Sequence, residues 1–189
     1  MSIYFIRHGQ TDWNKAMIIQ GQIEVPLNEV GIAQAKDVAL RLKDVHLDRI
    51  YASPLSRAID TAKIINEYHH VPLEIDARIL EQYYGELEGK PRSGDVYLSH
   101  RHTIPTRYPG GEGYFDVVYR VYDFLHQLEK EHSNEDILIV AHGGMARVFH
   151  SYFVDMDNDT FTHYGMENCA VATYEWPKRE IPSFKGIQK

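Results

Sequence analysis

The sequence of 189 residues lacks features that several classes of protein require. It holds one cysteine, Cys169, so no disulfide can form within the chain, which favours a reducing compartment such as the cytoplasm. The longest strongly aliphatic run, Ile137–Ala141, is far too short to cross a membrane. Only a short apolar stretch precedes Arg7, so we expect no secretory signal. These absences predict a cytoplasmic protein that does not act in a membrane.

Positive charge is also scarce. The chain has 20 Lys and Arg against 27 Asp and Glu, which gives a formal net charge of −7. A protein that neutralises nucleic-acid phosphates over a broad face needs an excess of positive charge, so we expect no nucleic-acid partner. A few arginines in one place could still hold a small anion. The length fits a single domain over residues 1–189, which is large enough to bury a core without disulfides or structural metal ions.

Short apolar runs alternate with amphipathic segments along the chain. We predict strands at 3–6, 48–52, 71–75, 137–141 and 168–176, and helices at 29–43, 55–68, 115–132 and after Gly143-Gly144. This order predicts an α/β fold with three layers, α/β/α, around a mostly parallel central sheet. Asn28 is expected to cap the first helix, and Cys169 to pack within the last strand, a candidate sheet edge. A homodimer stays possible, and the tail from Pro177 is expected to be loose.

The segment 82–114 has no sustained periodicity and is rich in glycine and proline. We interpret it as a cap inserted between elements of the sheet, and we call it the cap segment. Tyr83 and Tyr84 either line the mouth of a substrate pocket or pack the cap. Four basic side chains of the cap segment either recognise a second anionic group on a substrate or form an ordinary solvated surface: Lys90, Arg92, Arg101 and Arg107.

Three predicted strands end in residues suited to bind an anion. The first delivers Arg7 and His8, the second leads through Ser53 to Arg57, and the fourth delivers His142. Ligands of such sheets bind beyond the carboxyl ends of the strands, so we expect these side chains to converge. Guanidinium groups match phosphoryl oxygens, and helix amino ends after His8, Ser53 and His142 would add backbone donors. No metal-binding motif accompanies these residues, so we predict a phosphate site without a metal or cofactor.

The same residues can make a nucleophile. A histidine placed between cations has a lowered pKa, and its neutral imidazole can attack phosphorus. The leaving alkoxide then needs a proton. Glu81, just past the third strand, could donate that proton, and Glu88 or Glu112 are alternatives for this role.

At this point the chain resembles the histidine phosphatase superfamily, the phosphoglycerate mutase-like group. The resemblance covers roughly residues 3 to 176, and its blocks occur in the order of the family. They are 7–11 (RHGQT), 20–22 (QGQ), 53–62 (SPLSRAIDTA), 81–89 (EQYYGELEG), 110–112 (GGE) and 141–144 (AHGG).

The resemblance implies a role for each matching position. His8 is expected to be the phosphorylated nucleophile, Arg7, Arg57 and His142 to cradle the phosphoryl group, and Glu81 to be the acid and then the base. The phosphate pocket is expected to be lined by Asn14, Gln20, Gly21 and Gly143, with Tyr84 as a candidate substrate contact.

The implied activity is that of a metal-independent phosphatase. It would hydrolyse small phosphomonoesters, such as sugar bisphosphates, phosphoglycerates or phosphoserine, through a phosphohistidine, as a phosphomonoesterase of the histidine acid phosphatase type. The alternatives are a cofactor-dependent phosphoglycerate mutase and a binding module without turnover. The glycolytic mutases resembled here carry a longer insertion with an adjacent Arg pair. The stretch between Glu81 and His142 is shorter and holds no such pair, which favours hydrolysis.

Overall fold

A five-stranded sheet forms the centre of the computed structural model, which describes residues 2–176. Its strands are β1 (Ser2–Arg7), β2 (Arg49–Ala52), β3 (Leu73–Ile75), β4 (Ile137–Ala141) and β5 (Val171–Glu175). The strand order is β3-β2-β4-β1-β5, in which only β5 pairs antiparallel. The predicted α/β fold with a mostly parallel sheet is confirmed. The tail from Pro177, which we expected to be loose, lies outside the described residues.

Seven α-helices accompany the sheet among the described residues. They are α1 (Asp12–Lys15), α2 (Glu29–Leu42), α3 (Ser56–His69), α4 (Asp95–Arg101), α5 (Tyr114–His132), α6 (Gly143–Phe153) and α7 (Asn158–His163). Helices α2 and α3 pack on one face, and α5 and α6 pack on the other. The side chain of Asn28 caps α2, as predicted, by accepting the N–H of Gly31 at 2.9 Å.

The central strand β4 shows why the layers form. Its side chains alternate, so Ile137 and Ile139 join the core under α5 and α6, while Leu138 and Val140 join the core under α2 and α3. Every residue of the strand is buried, as expected of a parallel strand with helices on both faces. Burial on both faces holds the carboxyl end of β4, and therefore His142, in one place.

Several predictions of local structure were wrong. The cap segment contains α4, and α1 and α7 were not predicted, because each spans too few turns to show a helical period. The last strand begins at Val171, and Cys169 lies outside it with a φ of +56°. Its N–H donates to the Arg7 carbonyl at 2.9 Å, which closes this turn on the end of β1.

The sheet has two edge strands among the described residues, β3 and β5, whereas the sequence indicated only the last strand as a candidate edge. Within residues 2–176, no helix combines the length and the apolar character that a membrane crossing needs.

Candidate active site

The carboxyl ends of β1 and β4 and the start of α3 bring Arg7, His8, Arg57 and His142 together. The ring centres of His8 and His142 are 5.1 Å apart. His8 and both arginines line a cavity of about 140 Å³, whereas His142 is fully buried and its ring contacts that of His8. The topology of the parallel sheet thus gathers residues that are distant in the sequence at one edge.

The His8 ring is held in one orientation and one tautomer. Its Nδ1 lies 2.7 Å from the Gly9 carbonyl oxygen, which can only accept a hydrogen bond. Nδ1 therefore carries the proton of the neutral ring, and the lone pair is on Nε2. Burial lowers the pKa of His8 well below its ordinary value, and the charges of Arg57 and Arg7 lower it further. The result is a neutral imidazole between two cations.

Backbone carbonyls hold the two guanidinium groups. Arg7 donates to the Met166 carbonyl at 2.6 Å, and Arg57 donates to the carbonyls of Ile23 at 2.8 Å and Gly21 at 2.7 Å. Burial lowers the pKa of both arginines. Neither forms an ion pair with a carboxylate among the described residues, and the Nε of each is buried without a partner there. Both groups therefore keep N–H donors and charge for an anion.

Two glycines allow this arrangement. Gly21 has a φ of +51°, and a Cβ atom there would collide with the carboxylate of Glu88. A Cβ atom at Gly143 would lie 3.0 Å from the Arg7 Nε. Both glycines line the cavity, as do Asn14, Gln20 and Tyr84. The structure thus brings these five predicted pocket residues to the same cavity as Arg7 and His8.

Ser53 is a site residue that the sequence interpretation missed. Its hydroxyl lies 2.7 Å from His142 Nε2, whereas His142 Nδ1 is buried and has no partner among the described residues. Burial lowers the pKa of His142 well below its ordinary value, with further lowering by Arg57 and His8. The sequence interpretation gave the Ser53 side chain no role, although it placed Ser53 at a strand end and in the block 53–62, because no local pattern connects it with a residue 89 positions away.

Glu81 also lines the cavity, and it binds the start of α6. Its carboxylate accepts the N–H groups of Gln82 at 2.9 Å, Gly144 at 3.0 Å and Met145 at 3.1 Å. The N–H of Ser56 at the start of α3 likewise donates to a glutamate at 3.2 Å. Carboxylates therefore occupy the N–H groups of Ser56, Gly144 and Met145, which do not remain free for a phosphoryl group as we had predicted for the starts of these two helices.

The family model described as histidine phosphatase superfamily (branch 1) matches residues 3–185. The chain belongs to this superfamily. The uncharacterized phosphatase PhoE of Bacillus subtilis is 36% identical over 142 residues, which are 75% of this chain and 72% of the relative. The metal-independent phosphoserine phosphatase of Arabidopsis thaliana is 38% identical over 159 residues, 78% of this chain and 66% of the relative.

A solved structure agrees with the family assignment. The mycobacterial glucosyl-3-phosphoglycerate phosphatase superposes with a TM-score of 0.83 at 26% identity, covering 91% of this chain and 88% of that one. The predicted superfamily is therefore confirmed by sequence and by fold.

In this histidine phosphatase, the cap segment contributes part of the lining of the cavity. Tyr84, Arg92, Tyr97 and Arg101 line it. Tyr84 contacts Tyr97 and a third ring, that of Tyr108, so it both packs the cap and faces the cavity. The two functions that we considered for Tyr84 are thus compatible.

Other polar residues of the cap segment have structural partners instead. Arg107 is exposed and forms an ion pair with Asp116 at 2.6 Å. Glu112, an alternative acid, is paired with Arg120 at 2.9 Å. Neither residue lines the cavity. Glu88, the other alternative, accepts the N–H of Gln22 at 2.9 Å and supports the loop behind the cavity wall.

Proposed function

We propose that this histidine phosphatase hydrolyses small phosphomonoesters without a metal ion, as a phosphomonoesterase of the histidine acid phosphatase type. The observation that carries the proposal is the neutral His8 ring, fixed by the Gly9 carbonyl and flanked by Arg7 and Arg57. A lowered His8 pKa supports activity in mildly acidic solution, because the ring stays unprotonated there.

In the first step, the lone pair of His8 Nε2 attacks phosphorus and forms a P–N bond, while the P–O bond to the alcohol breaks. The leaving oxygen takes a proton from Glu81. Glu81 Oε2 accepts one backbone N–H and Oε1 accepts two, so Oε2 is the oxygen freer to carry this proton. The products of this step are the free alcohol, the phosphohistidine and the Glu81 carboxylate.

In the second step, water attacks the phosphohistidine. Glu81, now ionised, accepts a proton from the water as the new P–O bond forms, and the P–N electron pair returns to His8 Nε2. Inorganic phosphate leaves, and Glu81 is again protonated. The same carboxyl group thus serves both steps, which fits its place in the lining of the same cavity as His8.

The positive charges stabilise the phosphoryl group during transfer. Arg7 and Arg57 would bind its oxygens with the N–H groups that have no partner, and so would the side-chain amide of Asn14. His142 Nδ1 can donate to the same group only if the Ser53 hydroxyl donates to Nε2. Gln20, Gly21, Gly143 and Tyr84 would complete the pocket wall.

The names of the relatives and the short stretch between Glu81 and His142 support hydrolysis over the mutase alternative. The two relatives and the solved structure compared above are named as phosphatases. The named substrates, phosphoserine and glucosyl-3-phosphoglycerate, are both phosphomonoesters with a carboxylate. We propose small phosphorylated metabolites as the substrates of this chain, with the cap segment covering them.

Rapid quenching with labelled phosphomonoester tests the proposal. We expect a labelled protein that is stable in base and labile in acid, as a P–N bond requires, and His8→Ala should abolish both labelling and turnover. The Arg107→Ala variant is the control, because Arg107 lies on the surface away from the cavity. Appreciable turnover by His8→Ala would disprove the nucleophile. Transfer of label to an added phosphoglycerate, without release of phosphate, would favour the mutase.

A further inference from the structure

The block 110–112 (GGE) of the cap segment has no part in the mechanism proposed above, because Glu112 does not line the cavity. We propose that Glu112 and Arg120, a residue of α5, are positioning residues that hold the Glu81 carboxyl group where it exchanges protons with the reacting groups. We call the stretch 81–84 the acid loop. This inference rests on the proposed function, which gives Glu81 the roles of acid and base.

The backbone of 110–112 packs directly against the acid loop. The N–H of Glu112 donates to the Tyr83 carbonyl at 2.8 Å, and the Glu112 carboxylate accepts the N–H of Tyr83 at 2.9 Å. A Cβ atom at Gly111 would collide with the same Tyr83 carbonyl oxygen, so the two backbones can approach this closely only with glycine there. Glu112 therefore fixes the chain two residues after Glu81.

Arg120 fixes the chain at Glu81 and immediately before it. Its Nη1 donates to the carbonyls of Arg78 and Leu80, both at 2.7 Å, and its Nη2 donates to the Glu81 carbonyl at 3.2 Å. The side-chain amide of Gln22 donates to the same Glu81 carbonyl at 3.0 Å. One guanidinium group thus binds three carbonyls of the segment that carries the acid.

The two positioning side chains also bind each other. Arg120 Nε donates to Glu112 Oε1 at 2.9 Å, and Arg120 Nη2 donates to Glu112 Oε2 at 3.0 Å. A bidentate pair of this kind fixes the orientation of both groups. The Arg120 side chain is 15% exposed, whereas that of Arg107 in its pair with Asp116 is 68% exposed, so solvent weakens the Glu112–Arg120 pair less.

The contacts of Arg120 indicate positioning rather than anion binding. All three of its nitrogens donate to protein oxygens, whereas Arg7 and Arg57 each have a buried Nε without a partner among the described residues. Arg120 also lies outside the cavity lining. It therefore affects the reaction through the placement of Glu81 and not through contact with the substrate.

Proton transfer is sensitive to that placement. A carboxyl group must come within roughly 2.6–3.2 Å of the oxygen that it protonates, and a displacement of about 1 Å can slow a reaction about 100-fold. An acid loop that could move this far would leave His8 and both cavity arginines in place, yet Glu81 would protonate the leaving oxygen poorly. The Glu112–Arg120 pair opposes such a movement.

Two esters with different leaving groups test the inference. Gln at 112 places an amide N–H₂ against the donors of Arg120, and Lys at 120 has one nitrogen where Arg has three. Glu112→Gln and Arg120→Lys should each lower kcat/KM for an alkyl phosphate about tenfold, and for a nitrophenyl phosphate less than about twofold, since nitrophenolate leaves without a proton. The ratio within one variant cancels any loss of folded enzyme. Arg107→Gln breaks an exposed ion pair of the cap segment, so it is the matched control and should keep the wild-type ratio.

Combination with Glu81→Gln shows which residue transmits the effect. If Glu112 and Arg120 act through the proton of Glu81, neither variant should lower kcat/KM for the alkyl phosphate further once Glu81 is replaced. Losses that multiply with that of Glu81→Gln, or equal losses with both esters where Glu81→Gln alone is selective, would overturn the inference. The pair would then support the fold or the whole cavity.

Hydrogen exchange separates failure of this inference from failure of the proposed function. The N–H groups of Gly144 and Met145 donate to the Glu81 carboxylate, so their exchange rates report its placement without turnover. We expect both to exchange about tenfold faster in the two positioning variants and at the wild-type rate in the control. Unchanged exchange in both variants would overturn the inference. Faster exchange in an enzyme that hydrolyses no phosphomonoester, or in which Glu81→Gln slows both esters equally, would support the positioning and overturn the proposed role of Glu81 as the acid.

Discussion

Arg49 and Arg57 lie at opposite ends of the same strand, β2, and their surroundings differ. Arg49 begins the strand and forms ion pairs with Glu74, at 2.7 Å, and with Glu135. Arg57 follows the strand in the first turn of α3, is fully buried, and donates only to backbone carbonyls. An arginine at a helix amino end opposes the helix dipole, and no acidic residue of that first turn compensates it.

The difference indicates what each end of the sheet is adapted for. Carboxylates satisfy Arg49, so its charge contributes to the stability of the fold. The charge of Arg57 is left for a ligand, and burial lowers its pKa because the folded protein alone compensates it poorly. The charge at the amino end of the sheet is thus compensated within the protein, whereas at the carboxyl end we propose that a bound anion compensates it.

The largest effect is expected from Arg57→Met. Removing one of the two phosphoryl-binding guanidiniums should lower kcat/KM by about 10³-fold, as for other groups that stabilise transition-state charge. Arg49→Met is the matched variant. It should cost about 1 kcal/mol of unfolding free energy and leave kcat/KM near the wild-type value. Steady-state kinetics and urea titration measure both quantities. An Arg49→Met variant as inactive as Arg57→Met would contradict the comparison.

A smaller effect is expected from Glu81→Gln, because the amide cannot donate the proton that an alkoxide needs. Hydrolysis of an alkyl phosphate should slow by about 10²-fold, and hydrolysis of a nitrophenyl phosphate much less, since nitrophenolate leaves without a proton. The exposed Glu86 provides the control variant Glu86→Gln. Equal losses with both substrates would show that Glu81 only holds the start of α6.

A still smaller effect is expected from Ser53→Ala. Without the hydroxyl, His142 can adopt the tautomer protonated at Nε2, which cannot donate from Nδ1 to a phosphoryl oxygen. We expect kcat to fall about tenfold, the worth of one hydrogen bond to a charged group, with a lesser change in KM. The ¹⁵N chemical shifts of His142 report the tautomer directly. A loss of activity with unchanged shifts would show that Ser53 acts in another way.

The parts of the fold that the sequence predicted are those with repeated local patterns. The fully apolar run of β4 and the helical spacing of α5 each recur over enough residues to show a period. Helices α1 and α7 are too short for that. The turn at Cys169 depends on a contact with Arg7, which no local pattern encodes.

The same distinction applies to the site. His8, Arg57 and His142 could be predicted because each follows a strand, and parallel strands end at one edge of a sheet. The sequence could not show which arginines of the cap segment face the cavity, since Arg92 and Arg107 both occur in a glycine-rich stretch. Only the packing shows that Arg92 faces the cavity, whereas Arg107 pairs with Asp116.

The pH dependence of stability gives the smallest expected effect and separates the two ends of the sheet. Because the pKa of His8 and that of His142 are lowered in the folded protein, the unfolded chain binds more protons below about pH 6.5. Each histidine should therefore lower the free energy of unfolding by roughly 1 kcal/mol as the pH falls from about 7 to about 5.5. Glu135 affects stability in a lower pH range. Its pKa is lowered in the folded protein, so its contribution to the free energy of unfolding is lost only as the pH falls below about 4.3.

Urea titrations from about pH 7 to pH 5.5 check this separation. His8→Asn should flatten the dependence, since one titrating group is lost, whereas Arg49→Met should lower stability by a constant amount across that range, because Glu135 stays ionised there. A stability that does not change down to about pH 5.5 would mean that His8 and His142 take up protons in the folded state. The neutral nucleophile, and with it the contrast between the two ends of β2, would then be wrong.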